Sequence, residues 1–335
     1  MLMNSLRQNH TLQRWNKMAE SMSKNIKSNE CLIIHQEQIQ GKGEDFFLAE
    51  YDEDRLAMGV FDGCGGSGAK TYPAFKGYTG AKVAARALAA AVKIWFQNYS
   101  HGDSSERNLK LIIDKMLAVC EQRASSGQKL LGSLNREFPS TIAFFVMTEN
   151  QSTIDFYWCG DSRGYILDEN GLHQVTVDDV AVTDAMKNLR EDAPMTNVAS
   201  ASRPFEIHKK QIQLSEPAVI FNATDGCFGY LATPMEFEKL VLRTLKKAED
   251  TAQWKTFLEE EIRQVSGDDF SMTLWTGMYK DFAFMKKSLM KRFAYIDNMY
   301  PSASRCSEEE LFLQWESYKK SYENLWTAGD EKNAD

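Results

Sequence analysis

At 335 residues, with 43% apolar, 26% charged and 11% aromatic side chains, the chain has the make-up of a folded protein able to bury a sizeable core. Its net charge of −8, from 47 acidic against 39 basic residues, speaks against nucleic acid as the main ligand. No apolar run approaches the ~20 residues of a membrane span, and the polar start MLMNSLRQNH lacks a signal-peptide core, so the expected location is the cytoplasm, with no membrane partner. The six cysteines and five histidines are scattered and form no C-x-x-C pair, which argues against a zinc site and a disulfide framework. Any metal here is expected to be held by oxygen.

Taken in chain order, residues 1–27 are polar and weakly periodic and read as an arm. CLIIHQEQ (31–38), DFFLAEY (45–51) and RLAMGVF (55–61) read as strands. An alanine-rich segment at 78–96 and a second at 106–123, with apolar residues every three or four positions, predict helices. Strands resume at STIAFFVM (140–147), TIDFYWCG (153–160) and GYILDENG (164–171), the last turning at Asn170-Gly171. EIHKKQIQL (206–214) and PAVIFNATDG (217–226) continue the sheet, and the polar stretch 178–202 before them reads as a loop-rich insertion. Helices at 234–245 and 251–265 and a final strand, FSMTLWTGMY (270–279), complete a pattern that two antiparallel sheets sandwiched by helix pairs would accommodate.

Beyond residue 279 the composition turns lysine-rich and aromatic. Phe282, Met285, Leu289, Phe293 and Ile296 make one helical stripe; Leu311, Trp315, Tyr318, Tyr322 and Leu325 make another. Two helices packing on the domain or on each other, or a partner-binding appendage, both fit this pattern.

The chemistry concentrates where apolar strands meet carboxylates. RLAMGVF runs into Asp62-Gly63, PAVIFNAT into Asp225-Gly226 and TIDFYWC into Gly160-Asp161, while Glu44-Asp45 and Asp268-Asp269 precede strands. A lone Asp-Gly is most simply a turn, but turn chemistry does not require a long apolar strand before each aspartate. If these strands are neighbours, their carboxylates meet at one edge and repel. Hard divalent cations, which favour carboxylate, carbonyl and water ligands, would relieve that repulsion.

In this order the motifs GED (43–45), VFDGCGG (60–66), PST (139–141), GDSR (160–163), TVDD (176–179), TDG (224–226) and DD (268–269) resemble those of the metal-dependent protein serine/threonine phosphatases of the 2C family. The likeness spans about 31–279. It implies an α+β fold, a four-layer α-β-β-α sandwich of two mostly antiparallel sheets, as a catalytic domain at 28–279; the stripes beyond it make 280–335 a C-terminal helical extension. It also implies two Mn2+ or Mg2+ ions and a weaker third. Asp62 would bridge the pair, Asp45 and the Gly63 carbonyl would serve one ion, and Asp225 and Asp268 the other. Asp161 would hold the third, and Glu44 would act through water. The implied reaction is hydrolysis of phosphoserine or phosphothreonine in a phosphorylated protein without a phosphoenzyme; the alternative is a phosphatase-fold module that only binds such a partner.

Four positions depart from the family pattern. Cys64 stands where many members have a histidine, and it is open as proton donor, thiolate or spacer. Gln40 replaces an arginine that grips phosphate, a role for which Lys42 offers a point charge without the bidentate fork. Asp179 and Asp269 replace a histidine and an asparagine, which adds acid to the site.

Overall fold

The computed structural model describes residues 30–52, 55–99, 105–124, 137–148, 153–182, 184–191 and 193–327; the expected arm at 1–27 lies outside them. One sheet orders its strands as β1 (Cys31–Gln36), β12 (Phe270–Trp275), β11 (Val219–Ala223), β8 (Arg163–Asp168) and β9 (Gly171–Gln174). The other runs β10 (His208–Gln213), β7 (Thr153–Cys159), β6 (Ile142–Thr148), β3 (Arg55–Phe61) and β2 (Phe46–Asp52). All neighbours are antiparallel. A small hairpin, β4 (Thr71–Tyr72) and β5 (Tyr78–Thr79), stands apart.

Side-chain alternation explains the layers. In β3, Leu56 and Met58 enter the core between the sheets, whereas Ala57 and Phe61 face the opposite way, into a core shared with helices. In β11, Ile220 points inward and Val219 and Phe221 outward. With both faces covered, a strand must be apolar at successive positions, and this makes the runs so conspicuous in the sequence.

Helices α1 (Gly80–Tyr99) and α2 (Ser105–Ala124) cover the second sheet, through Leu88, Val92 and Trp95 of α1 and Ile113 and Leu117 of α2. Helices α3 (Pro234–Lys247), α4 (Thr251–Val265), α5 (Phe282–Met299) and α6 (Glu308–Tyr322) cover the first. Sequence chemistry sets where α3 begins: the Thr233 hydroxyl accepts from the Glu236 amide, and Pro234 follows in the first helical turn. The fold is thus the four-layer sandwich that the sequence implied. No helix among the described residues is long and apolar enough to cross a membrane.

The C-terminal stripes pack onto the sandwich. Met285, Leu289, Phe293 and Ile296 of α5, and Leu311, Trp315, Tyr318 and Tyr322 of α6, join one core with Phe237 and Trp254. Leu325 packs against the core between the sheets. A polar knot lies within this apolar layer. Arg292 donates through Nε and Nη2 to the two Glu238 oxygens at 2.6 and 2.9 Å, and the Tyr318 hydroxyl donates to Glu238 Oε2 at 2.5 Å. Glu238 has no exposed surface.

Several short elements escaped the sequence pattern, among them the hairpin β4–β5, whose Tyr78 and Thr79 were expected in the helix that begins at Gly80. Strand β9 is four residues long, and two of them are the polar His173 and Gln174. They are buried because His173 bonds the Ser321 carbonyl at 2.6 Å and Asp168 at 3.2 Å, and Gln174 donates to Asp178 at 2.9 Å. The insertion at 178–202 contains one helical turn, Ala185–Asn188, and bridges pairing Val180 with Met195 and Ala199 with Ser140.

Arg292→Met should cost about 3–5 kcal/mol in equilibrium chemical denaturation, because Glu238 would be left buried and unpaired. Pairing it with Glu238→Leu should recover part of that loss. An unchanged midpoint in Arg292→Met would show that the knot contributes nothing.

Candidate metal centre

Antiparallel pairing makes every second strand end where its neighbour begins, and the motif residues all fall at such junctions. In the second sheet Phe46 pairs with Phe61, so Glu44-Asp45 before β2 lies beside Asp62-Gly63 after β3. In the first, Ala223 pairs with Met272 and with Arg163, so Asp225, Asp268 and Asp161 share one end. Face-to-face packing brings the two ends together.

The carboxylates sense one another. Burial, then repulsion from Asp225, Asp45, Asp161 and Asp268, holds the Asp62 carboxyl well above the usual range. Burial and Asp225 push Asp45 up to about 8, although hydrogen bonds from Thr224 and Ser271 pull the other way. Asp161 also rises to about 8, from burial and Asp225. Asp225 is raised by burial and Asp268, and it lies within hydrogen-bonding reach of Asp62. Asp268 sits at the exposed rim, raised by partial burial and Asp269.

Hydroxyl groups stitch the motifs together. The Thr224 hydroxyl donates to Asp45 Oδ2 at 2.9 Å and accepts from the Ser271 amide at 2.9 Å, tying TDG to GED and to the start of β12. The Asp62 amide donates to Thr141 Oγ1 at 3.1 Å, and that oxygen lies 2.6 Å from Ser162 Oγ, tying VFDG to PST and GDSR. Thr79 donates to Glu44 Oε1. Close backbone approach explains both Asp-Gly steps. A Cβ at Gly63 would lie 2.7 Å from the Ala81 carbonyl oxygen and 2.9 Å from that of Glu44; at Gly226 it would lie 1.9 Å from that of Asp269.

The donor set suits a hard cation, since all of it is oxygen. Among the described residues no three His, Cys, Asp or Glu are gathered tightly enough to close on one ion by themselves. Mg2+-like ions are commonly held by one or two carboxylates and several waters, so pairs such as Asp45 with Asp62, or Asp62 with Asp225, meet that requirement. Asp161 Oδ1 is buried and has no hydrogen-bond partner. An oxygen in that condition fits a ligand role.

In overall shape the chain is similar to serine/threonine phosphatase Stp1 from Staphylococcus aureus, with a TM-score of 0.58 at 17% identity, covering 74% of this chain and 94% of that one. It is also similar to a sex-determining protein of C. elegans (TM-score 0.58, 16% identity, 84% and 74% covered) and to the Mycobacterium tuberculosis serine/threonine phosphatase PstP/Ppp (0.51, 14%, 73% and 96%). The fold is that of the phosphatase 2C family. In sequence, a Mycoplasma genitalium protein named as a candidate protein phosphatase is 22% identical over 226 residues, 63% of this chain and 82% of its own length. No protein-family model matches the chain.

On this fold the four departures take definite places. Cys64 caps the single turn Gly65–Gly68, half-buried, with Sγ 4.0 Å from the Asp62 carbonyl oxygen. Gln40 and Lys42 lie exposed on the loop before β2. Asp179 accepts from the Gly160 amide at 2.9 Å, from Asn197 at 2.7 Å and pairs with His208 at 2.9 Å, so its charge is offset locally. Asp269 accepts from the Gln38 and Glu44 amides, both at 2.7 Å, and fastens that same loop.

Two cations that the sequence reading missed stand behind the loop. Lys82 and Arg86 of α1 are both buried; Lys82 Nζ donates to the Gly41 carbonyl at 2.7 Å and pairs with Glu37 at 3.5 Å, and Arg86 donates to the Lys82 carbonyl. Their four-residue spacing within an alanine-rich helix was the available signal. Arg163 was also passed over: it forms a buried bidentate pair with Asp178, with contacts of 2.7 to 3.1 Å, and stacks 4.3 Å from the Phe228 ring. Beside Asp161 and Asp225 opens a cleft of about 290 Å³, with Arg163, Asp178 and Asn188 among its lining.

Thr224→Val should remove the hydroxyl that orients Asp45 and lower Mn2+ affinity about 10–100-fold. Calorimetric titration of the full chain checks this; unchanged affinity would show that Thr224 does not support a ligand.

Proposed function

We propose that the chain is a phosphoprotein phosphatase that hydrolyses phosphoserine and phosphothreonine, using Mn2+ or Mg2+ held by Asp45, Asp62, the Gly63 carbonyl, Asp225 and Asp268. The observation that carries this reading is the convergence of those carboxylates at one end of both sheets, with Asp45, Asp62 and Asp225 each made harder to ionise by burial and by neighbouring carboxylates. Asp161, with its unpartnered oxygen, suits a third and weaker ion. Glu44, held by Thr79, suits a contact through water. Two such ions, when bound, supply an acidified water and offset charge on the phosphoryl oxygens.

The chain's own residues do the rest. Thr224 and Thr141 fix the first two aspartates through the contacts above, which keeps the site preorganised. The cleft beside Asp161 and Asp225 has the size of a small-ligand pocket and suits a phosphorylated side chain. Direct hydrolysis needs no protein nucleophile. The thiol beside Asp225 is unsuited to be one, because Cys227 is buried, donates to the Ser271 carbonyl at 3.3 Å and has a pKa driven far up by burial. When water's oxygen bonds phosphorus and the bond to the serine or threonine oxygen breaks, that departing oxygen must gain a proton. Cys64, next to Asp62 and Gly63, is the candidate donor among the departures from the family pattern.

Phosphate release from a phosphothreonine peptide should require Mn2+ or Mg2+, stop on chelation and fall to background in Asp62→Asn and in Asp225→Asn. Full release by both variants would contradict the reading, and saturable peptide binding without release would reduce the chain to a binding module. If Cys64 delivers the proton, Cys64→Ser should remove the alkaline limb of the pH–rate profile; an intact profile assigns that thiol to space-filling.

A further inference from the structure

One wall of the cleft is the segment 184–191, which contributes Asn188, Leu189, Arg190 and Glu191. Its only regular structure is the single turn Ala185–Asn188. Asp184 caps that turn, accepting from the Met186 and Lys187 amides at 3.1 and 3.0 Å. One turn cannot hold itself in water, because helix nucleation is unfavourable and so little propagation follows it. Something else must hold this wall.

Apart from Asn188 Nδ2, which donates to Asp178 Oδ2 at 3.2 Å, its external side-chain anchors lead to α6. Lys319 Nζ donates to Asp184 Oδ2 at 2.7 Å, and Trp315 Nε1 donates to the same oxygen at 3.1 Å. Glu308, in the first turn of α6, pairs with Arg190. Residues 308, 315 and 319 recur at steps of seven and four and so share one helical face. Ala185 and Met186 are buried in the same core as Leu311 and Trp315, and Leu189 packs against it. Burial works against charge on Asp184, yet Lys319 and the Lys187 amide outweigh it and hold the carboxyl below its ordinary range. The capping oxygens stay ionised and bound.

We propose that α6 is a built-in clamp that positions the 184–191 wall of the cleft, with Lys319, Trp315 and Glu308 as positioning residues for phosphoprotein recognition. The recognition half of this rests on the phosphatase reading above. A phosphopeptide longer than its phosphorylated residue must run along the wall, whereas a small aryl phosphate occupies only the Asp161 and Asp225 side of the cleft. Loosening the clamp should therefore weaken the first substrate and spare the second.

The test uses the full chain with Lys319→Met and Glu308→Gln combined, two partly or largely exposed positions whose loss leaves the core intact. Amide hydrogen exchange across 184–191 should accelerate about tenfold while β2 and β3 stay unchanged, and KM for a phosphothreonine peptide should rise about tenfold. The kcat for p-nitrophenyl phosphate should stay within about twofold. Lys319→Arg, which keeps the charge, should behave as wild type. Unchanged exchange at 184–191 would overturn the clamp, and faster exchange with an unchanged peptide KM would overturn its role in recognition. A wild-type chain that releases no phosphate from either substrate would count against the phosphatase reading, and exchange alone would then decide the clamp.

Discussion

The structure depends on a repulsion. Antiparallel pairing in two stacked sheets delivers Asp45, Asp62, Asp161 and Asp225 to one end, Asp45 buried and the others half-buried, where desolvation and mutual repulsion make each harder to ionise than a free carboxylate. The chain's nearby cations offset this repulsion only in part. Arg163 favours the ionised forms of Asp161 and Asp225 but is itself paired with Asp178, and Lys82 is held by Glu37 and the Gly41 carbonyl. Carboxylates crowded in such a place are tolerated for a reason, and the hard-cation binding that we propose is one that their all-oxygen donor set suits.

Everything around that end is arranged to hold the carboxylates against each other. The Thr224, Thr141 and Ser162 hydroxyls link segments far apart in the chain, and Gly63 and Gly226 let backbones approach where a side chain would collide. Strain and desolvation of this kind are costly, and the large apolar cores on either side of each sheet supply the offset. The same outer core carries α5 and α6 onto the sandwich. Through Asp184 and Arg190, α6 then reaches the edge of the cleft, which is the contact that the proposed clamp uses.

Most of the sandwich was legible because its strands are apolar on both faces and its helices keep three- and four-residue spacing. Strand β9 was not, since His173 and Gln174 are buried by hydrogen bonds to residues distant in sequence, and periodicity carries no trace of such partners. The aspartates of the site stood out at strand ends, but the supporting cations did not. Lys82 and Arg86 look like ordinary helix residues until the loop before β2 folds over them. Asp179 and Asp269 were read as added site charge. Asp269 does help raise Asp45, but both side chains are occupied, one by His208 and Asn197, the other by backbone amides. Composition at a motif position does not say where a carboxylate points.

Anomalous diffraction from crystals of the full chain grown with Mn2+ tests the central claim most directly. Two strong peaks are expected at the shared strand end, within reach of Asp45, Asp62, the Gly63 carbonyl and Asp225. Absence of manganese there at millimolar concentration, with these carboxylates unmoved, would contradict it.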